Sequence, residues 1–181
     1  YGQTKHEGEL NIAKYCTKHY ILRIAWLFGE LPEGHPGTNF VETMLKLAKE
    51  RDDLTIVNDQ IGSPTYTGDL VAVIGQIISS QPKLPATNYS LQTAPYGLYH
   101  FSGNDACSWY DFAVEIFKQT NTKISVRPIT SAEYPQKAKR PSYSYLDKSK
   151  IESALNFKVR PWQEMLRDYL NNRSKNGQQT Q

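Results

Sequence analysis

A largely apolar run at residues 21–28, closed by Gly29 and preceded by a helical segment, sets the strongest limit on what this chain can fold into. Ile21, Leu22, Ile24, Ala25, Trp26, Leu27 and Phe28 leave only Arg23 charged, the pattern of a buried strand. Ahead of it, Glu7, Glu9, Leu10, Ile12, Ala13, Tyr15 and Cys16 read as helix. A helix feeding a buried strand is the second half of a parallel α/β unit, so the fold class expected is α/β.

The helix opens with Tyr1-Gly2-Gln3-Thr4-Lys5. Residues four apart share a helix face, so the phenol of Tyr1 and the ammonium of Lys5 point into the same space. That geometry suits reduction of a carbonyl. The tyrosine can hand a proton to the oxygen that becomes an alkoxide, and the lysine beside it favours the ionised phenol. On the pattern alone, the simpler reading is the solvated first turn of a surface helix.

Residues 30–38 carry Pro32, Gly34, Pro36 and Gly37 and read as a loop. Phe40, Met44, Leu45, Leu47 and Ala48 then fall at helical spacing, and residues 54–57 form a short strand. A loop at 58–66 leads to Thr67 as N-cap, with Asp69 in the first turn of the helix it opens. Leu70, Val71, Ile74, Ile77 and Ile78 predict that this helix is well buried. Three prolines mark 81–96 as an irregular connection, followed by a strand at 98–101 and a turn at 102–105. Ser108 caps a helix through residue 120, with Asp111 placed for a capping box and Trp109, Phe112, Ala113, Ile116 and Phe117 as its core stripe. A strand near 124–126, a Pro-containing loop, a short helix capped by Asp147 and a last helix at 162–170 beginning after Pro161 complete the pattern.

The bulk properties exclude several functions. No apolar run approaches the ~20 residues of a membrane span, and no signal peptide is present. The net charge of +3 forms no basic stripe, which argues against nucleic acid. Cys16 and Cys107 lack metal-like spacing and suit a reduced, cytoplasmic protein. His6, His19, His35 and His100 also lack the spacing of a metal site.

Several residues carry chemistry. Trp26 stands at the C-terminal end of the strand, where open α/β sheets place ligands; its plain alternative is a core aromatic. Arg23 within the same strand must be paired if buried, so an ion pair and a ligand contact are equally open. The loop Asn58-Asp59-Gln60-Ile61-Gly62-Ser63-Pro64-Thr65-Tyr66 combines amide, carboxylate and hydroxyl groups, a composition that also simply makes tight turns. Asn39 opens a helix and its plain role is the cap. Arg140, just before Pro141, offers a planar fork of donors that suits a diphosphate, or else is a solvated loop arginine.

Taken in order, Tyr1-x-x-x-Lys5, Arg23-Ile24-Ala25-Trp26, Asn39-Phe40-Val41, the Asn58-to-Thr65 loop, His100-Phe101-Ser102-Gly103 and Lys139-Arg140-Pro141 resemble the C-terminal portion of the extended short-chain dehydrogenase/reductases, above all the dTDP-4-dehydrorhamnose reductase family. The resemblance runs from Tyr1 to about residue 170. It implies the C-terminal part of an NAD(P)-binding Rossmann-type sheet, residues 1–29, plus a small mixed α/β substrate-binding lobe, residues 30–171, with some segments packing back on the sheet and a disordered tail at 172–181. It also implies Tyr1 as general acid and Lys5 as its partner and a ligand of the nicotinamide ribose. Trp26, Asn39, Gln60, Thr65 and Arg140 become substrate-binding residues. The cofactor implied is NADPH or NADH, the partner a nucleotide sugar, and a homodimer of the intact protein is compatible. Some members use magnesium at a subunit contact; Asp69 is the only candidate ligand, and an acid at a helix start explains it better.

No G-x-G-x-x-G or G-x-x-G-x-x-G occurs in the chain, so the resemblance implies a fragment of a longer NADPH-dependent reductase, inactive alone. An apolar sheet edge or face is then expected at its surface. Two alternatives share parts of the pattern. One is a nucleotide-sugar epimerase or dehydratase of the same family. The other is a non-catalytic regulatory subunit like the β subunit of methionine adenosyltransferase, which the chain also resembles around His100 and Arg140.

Overall fold

The computed structural model describes residues 1–32, 34–79, 94–134 and 138–178. In chain order these form α1 (Gly2–Tyr15), β1 (Tyr20–Ile24), β2 (Leu27–Phe28), α2 (Phe40–Glu50), β3 (Asp53–Val57), β4 (Ile61–Gly62), β5 (Thr65–Tyr66) and α3 (Thr67–Ser79). Then follow β6 (Gly97–Phe101), β7 (Cys107–Ser108), α4 (Trp109–Gln119), β8 (Ser125–Ile129), α5 (Ser149–Leu155) and α6 (Trp162–Gln178).

The run expected as one strand is two. Trp26 has φ +47°, a left-handed conformation that an extended strand cannot contain, and it splits the run into β1 and β2. The split changes the neighbour. β1 pairs in parallel with β6, Tyr20 opposite Gly97 through Ile24 opposite Phe101, whereas β2 pairs in parallel with β5. Elsewhere β3 pairs in parallel with β8, and the short β4 runs antiparallel to β7. The pairing of β1 with β6 shows a late segment packing back on the first strand.

Two of the four helix caps expected from the sequence are present; Thr67 instead lies inside α3, and the N-cap of α5 is Lys148, one residue after Asp147, with no side-chain cap bond. Asn39 accepts from the Glu42 amide, and Ser108 with Asp111 closes a complete capping box, a device worth about 1 kcal/mol. Asp147 accepts from the amide and hydroxyl of Ser149 at the start of α5. The core lies between the β2–β5 pair and α2, α4 and α6. Phe28 is its hub, with ring centroids 5.5 Å from Phe112, 5.6 Å from Tyr169 and 5.7 Å from Tyr66.

Three further expectations need correction. First, α3 is only half buried: Val73 and Ile77 face the core, while Val71 and Ile78 stand 67% and 63% exposed. Its periodicity marks an apolar face but not whether anything in the described structure covers it. Leu10 and Ile12 of α1 and Ile24 of β1 are exposed as well. Second, the last helix does not stop at residue 170 and residues 172–178 are not a disordered tail. Asn172 donates to the Tyr66 hydroxyl and Arg173 grips Glu42, so tertiary contacts carry a polar sequence on as helix to Gln178. Third, Arg23 is not buried but exposed, on the outer half of β1. The connection expected at 81–96 lies, as far as residue 93, outside the described residues, as do Pro135 and residues 179–181.

Candidate active site

Tyr1 and Lys5 occupy the first turn of α1, with the Lys5 amide donating to the Tyr1 carbonyl at 3.1 Å. The phenol of Tyr1 is 95% exposed, and Lys5 Nζ lies 5.5 Å from its ring centroid. The two residues open, as helix spacing predicts, onto one cleft of about 520 Å³ that Glu9 of α1, Leu22 and Arg23 of β1, and Leu146 also line. Arg23 donates to both carboxylate oxygens of Glu9, Nε at 2.8 Å and the terminal nitrogen at 2.6 Å. That contact holds the Glu9 carboxyl down at about 2. Arg23 is thus an ion-pair residue.

Trp26 is held by backbone and packing together. Its carbonyl accepts from the Thr65 amide at 3.0 Å, and the carbonyl of Ala25 accepts from the Thr65 hydroxyl at 2.5 Å. Its indole stacks on Trp109, and Phe40 leans on Trp109 in turn at 4.7 Å between centroids. A non-glycine residue kept at positive φ by surrounding contacts is a recurrent mark of a functional position.

The remaining predicted site residues divide by what their polar atoms touch. Thr65 is wholly buried, its hydroxyl given to Ala25, so it supports the Trp26 turn. Gln60 is 5% exposed and donates to the Ser131 hydroxyl at 2.8 Å; beside it Asp59 accepts from the amide and hydroxyl of Ser131. The Ser131 hydrogen bonds hold the Asp59 carboxyl below its ordinary value. Asn39 accepts from Glu42 and donates to the Gly29 carbonyl at 2.9 Å and the Tyr169 hydroxyl at 3.1 Å. The Tyr169 hydroxyl in turn donates to Glu42, which Arg173 also contacts. Burial raises the Glu42 carboxyl, but the hydrogen bonds from Arg173 and Tyr169 outweigh it and leave it lowered.

Arg140 is exposed and borders two clefts. One, of about 770 Å³, lies between Asp59 and Ser131 on one side and Tyr143 on the other. The second, of about 900 Å³, has Phe40, Met44 and Trp109 on its apolar wall and Arg127 and Tyr134 beside Arg140. Trp109, which the sequence places in the core stripe of α4, does pack against the core; that it also lines this cleft was missed. Its position gave a usable signal: the first residue of a helix presents its side chain toward the N-terminal mouth, not the packed middle. Glu9, Arg127 and Tyr134 were missed as well, and their partners are distant in sequence.

Asp69 is engaged elsewhere. Arg160 donates to both its oxygens, at 2.7 and 2.5 Å, and to Asp168 as well, tying α3 to α6. Among the described residues no group of three or more His, Cys, Asp and Glu is placed to hold a metal ion, and magnesium finds no support at Asp69. Nor is any helix among them long and apolar enough to cross a membrane.

A parallel α/β unit with Tyr and Lys on one helix face, joined to a lobe lined by aromatic and guanidinium groups, defines the Rossmann-like class of the short-chain dehydrogenase/reductases. Residues 1–175 match the RmlD substrate binding domain, and the chain belongs to that family. It is 43% identical over 175 residues to a dTDP-4-dehydrorhamnose reductase of Aggregatibacter actinomycetemcomitans, a match covering 93% of this chain and 55% of that protein. A crystal structure of a dTDP-4-dehydrorhamnose reductase from Clostridium acetobutylicum superposes with a TM-score of 0.81 at 40% identity, over 96% of this chain and 55% of that one. One from Bacillus anthracis, in complex with NADP, gives 0.79 at 35% identity, over 95% and 54%. The chain spans about half the length of the relatives it matches.

Proposed function

We propose that the whole protein is an NADPH-dependent reductase of a nucleotide-linked 4-keto sugar, forming dTDP-L-rhamnose from dTDP-4-dehydro-L-rhamnose for cell-surface polysaccharide. The carrying observation is that Tyr1 and Lys5 open side by side onto one cleft against β1. The named activity of the relatives at 40% and 43% identity supports the substrate, and the NADP bound to the Bacillus anthracis relative supports the cofactor.

The residues present fit such a cofactor. Lys5 makes no ion pair among the described residues and stands beside the phenol at the cleft, available to a ribose hydroxyl. When bound, the reduced nicotinamide supplies the hydride. Tyr1 hydrogen-bonds the ketone oxygen and gives it the proton as the alcohol forms, with Lys5 placing positive charge beside the phenolate left behind. Trp26 offers an aromatic face to the sugar. Arg140, exposed between two clefts, supplies a fork of donors for the diphosphate. Asn39, Gln60 and Thr65 act on the substrate through the walls they fix. Cys16 and Cys107, both free thiols, fit a reducing cytoplasm.

The test is a steady-state assay on the full-length protein. Loss of NADPH absorbance with dTDP-4-dehydro-L-rhamnose, and dTDP-L-rhamnose as product, are expected. Isomerisation of a nucleotide sugar with no net consumption of NADPH would overturn the reading.

A further inference from the structure

Lys5 and Glu9 are four residues apart on α1, the spacing at which an ammonium and a carboxylate pair along a helix. Both line the same cleft as Tyr1, yet no ion pair joins them. Glu9 instead spends both oxygens on Arg23, which reaches it from β1 across the cleft floor in a two-pronged contact. Among the described residues its other near ionisable neighbour is His6, whose Nδ1 lies 3.6 Å from one of the same oxygens. We infer that Arg23 is a positioning residue whose task is to sequester Glu9, so that the ammonium of Lys5 stays available to the phenol and the cofactor ribose.

The assignment rests on the reductase reading above, and follows from geometry and charge. A planar guanidinium matches a carboxylate with two parallel hydrogen bonds, whereas an ammonium offers a single point charge, so Arg23 outcompetes Lys5 for Glu9. Without Arg23, the carboxylate loses its two-pronged partner, and the ammonium of Lys5, one helical turn away, can take that place beside His6.

This role differs from that of a simple clasp between α1 and β1, and a mutant cycle in the full-length protein separates the two. Arg23→Met should lower kcat about two- to fivefold, the range of surface and helix ion pairs. Glu9→Gln should leave kcat near that of the parent, and Arg23→Met/Glu9→Gln should recover it. A second readout is independent of turnover: acetylation of Lys5 by a succinimidyl ester, followed by peptide mass spectrometry. The rate should fall about two- to threefold in Arg23→Met and return in the double variant, as pairing with Glu9 would require. If Glu9→Gln, Arg23→Met and the double variant are equally impaired, or Lys5 labelling is unchanged in Arg23→Met, the inference is overturned. Tyr1→Phe run alongside distinguishes the failures: full activity in that variant would remove the reductase reading itself, whereas the Lys5 labelling rates would still judge the sequestration of Glu9.

Discussion

The indole of Trp26 lies flat on that of Trp109, ring centroids 3.7 Å apart and planes 13° from parallel. The two residues are distant in sequence: one comes from the break between β1 and β2, the other from the first turn of α4. The pair joins the end of the first strand to the apolar wall of the cleft that Arg140 borders. Stacking fixes both rings, so the one that lines the cleft, Trp109, has little freedom left to lose on binding.

From this follows the first expectation. Trp109→Ala should raise KM for the sugar nucleotide about three- to tenfold, the worth of a well-placed aromatic pair, and change kcat less. Trp26→Ala should do the same, and the double variant should fall short of the sum because the two share one contact. Additive effects on KM would separate the rings functionally.

Gly62 provides a second test of the same arrangement. A Cβ there would stand 2.6 and 2.7 Å from two carbons of the Trp26 indole and 2.8 Å from Ser144 Oγ. Gly62→Ala should therefore displace the indole and destabilise the protein by about 1–3 kcal/mol, as overpacking does. For a domain of this size, that corresponds to a loss of about 2–4 °C in Tm per kcal/mol. The near-ultraviolet circular dichroism of the tryptophan pair should weaken too. An unchanged Tm and spectrum would show that the loop can yield without moving Trp26.

The parts of the fold legible in the sequence are those decided by neighbours along the chain. The Ser108–Asp111 capping box and the Asn39 cap rest on contacts within three residues, and both are present; Asp147 also bonds locally, to Ser149, though Lys148 is the N-cap of α5. The left-handed turn at Trp26 was not legible, because Ala25 and Trp26 are apolar and read as strand. What enforces it is Thr65, 40 residues on in sequence from Ala25. The helix beyond residue 170 was missed for the same reason: its Asn172 and Arg173 answer to Tyr66 and Glu42. At the site, Tyr1 and Lys5 could be paired from spacing alone. Arg140 could be chosen only by chemistry, and Trp109 only by knowing which mouth the start of α4 faces.

The Glu9–Arg23 contact sets a pH dependence. The ordinary value of such a carboxyl is 4.5, and Arg23 brings Glu9 to about 2 in the folded state. Because the folded value is the lower one, the contact stabilises fully above pH 4.5 and is lost as the pH falls from there toward 2. Protection of α1 amides from hydrogen exchange should drop across that window, and Arg23→Met should move the Glu9 midpoint, followed by carboxyl carbon NMR, back toward 4.5. A Glu9 midpoint indifferent to Arg23 would contradict the pairing.

The last expectation bears on the phenol. Reduction of a ketone leaves an alkoxide that must be protonated, and a positioned acid contributes roughly 10²–10⁴-fold in rate. Tyr1→Phe deletes a single oxygen from a ring that is 95% exposed, so neither packing nor folding has anything to lose. In the full-length protein, kcat should fall at least about 10²-fold with KM nearly unchanged, as expected of a group used chiefly in the transition state. On the proposed mechanism, Lys5→Met should lower kcat and also weaken binding of NADPH, since the ammonium would serve both the phenol and the ribose. The two variants are thereby separable: titration of NADPH should be unaffected by Tyr1→Phe and weakened by Lys5→Met. Near-normal turnover in Tyr1→Phe would return Tyr1 to the solvated first turn of a surface helix, and the proton would have to come from elsewhere in the cleft.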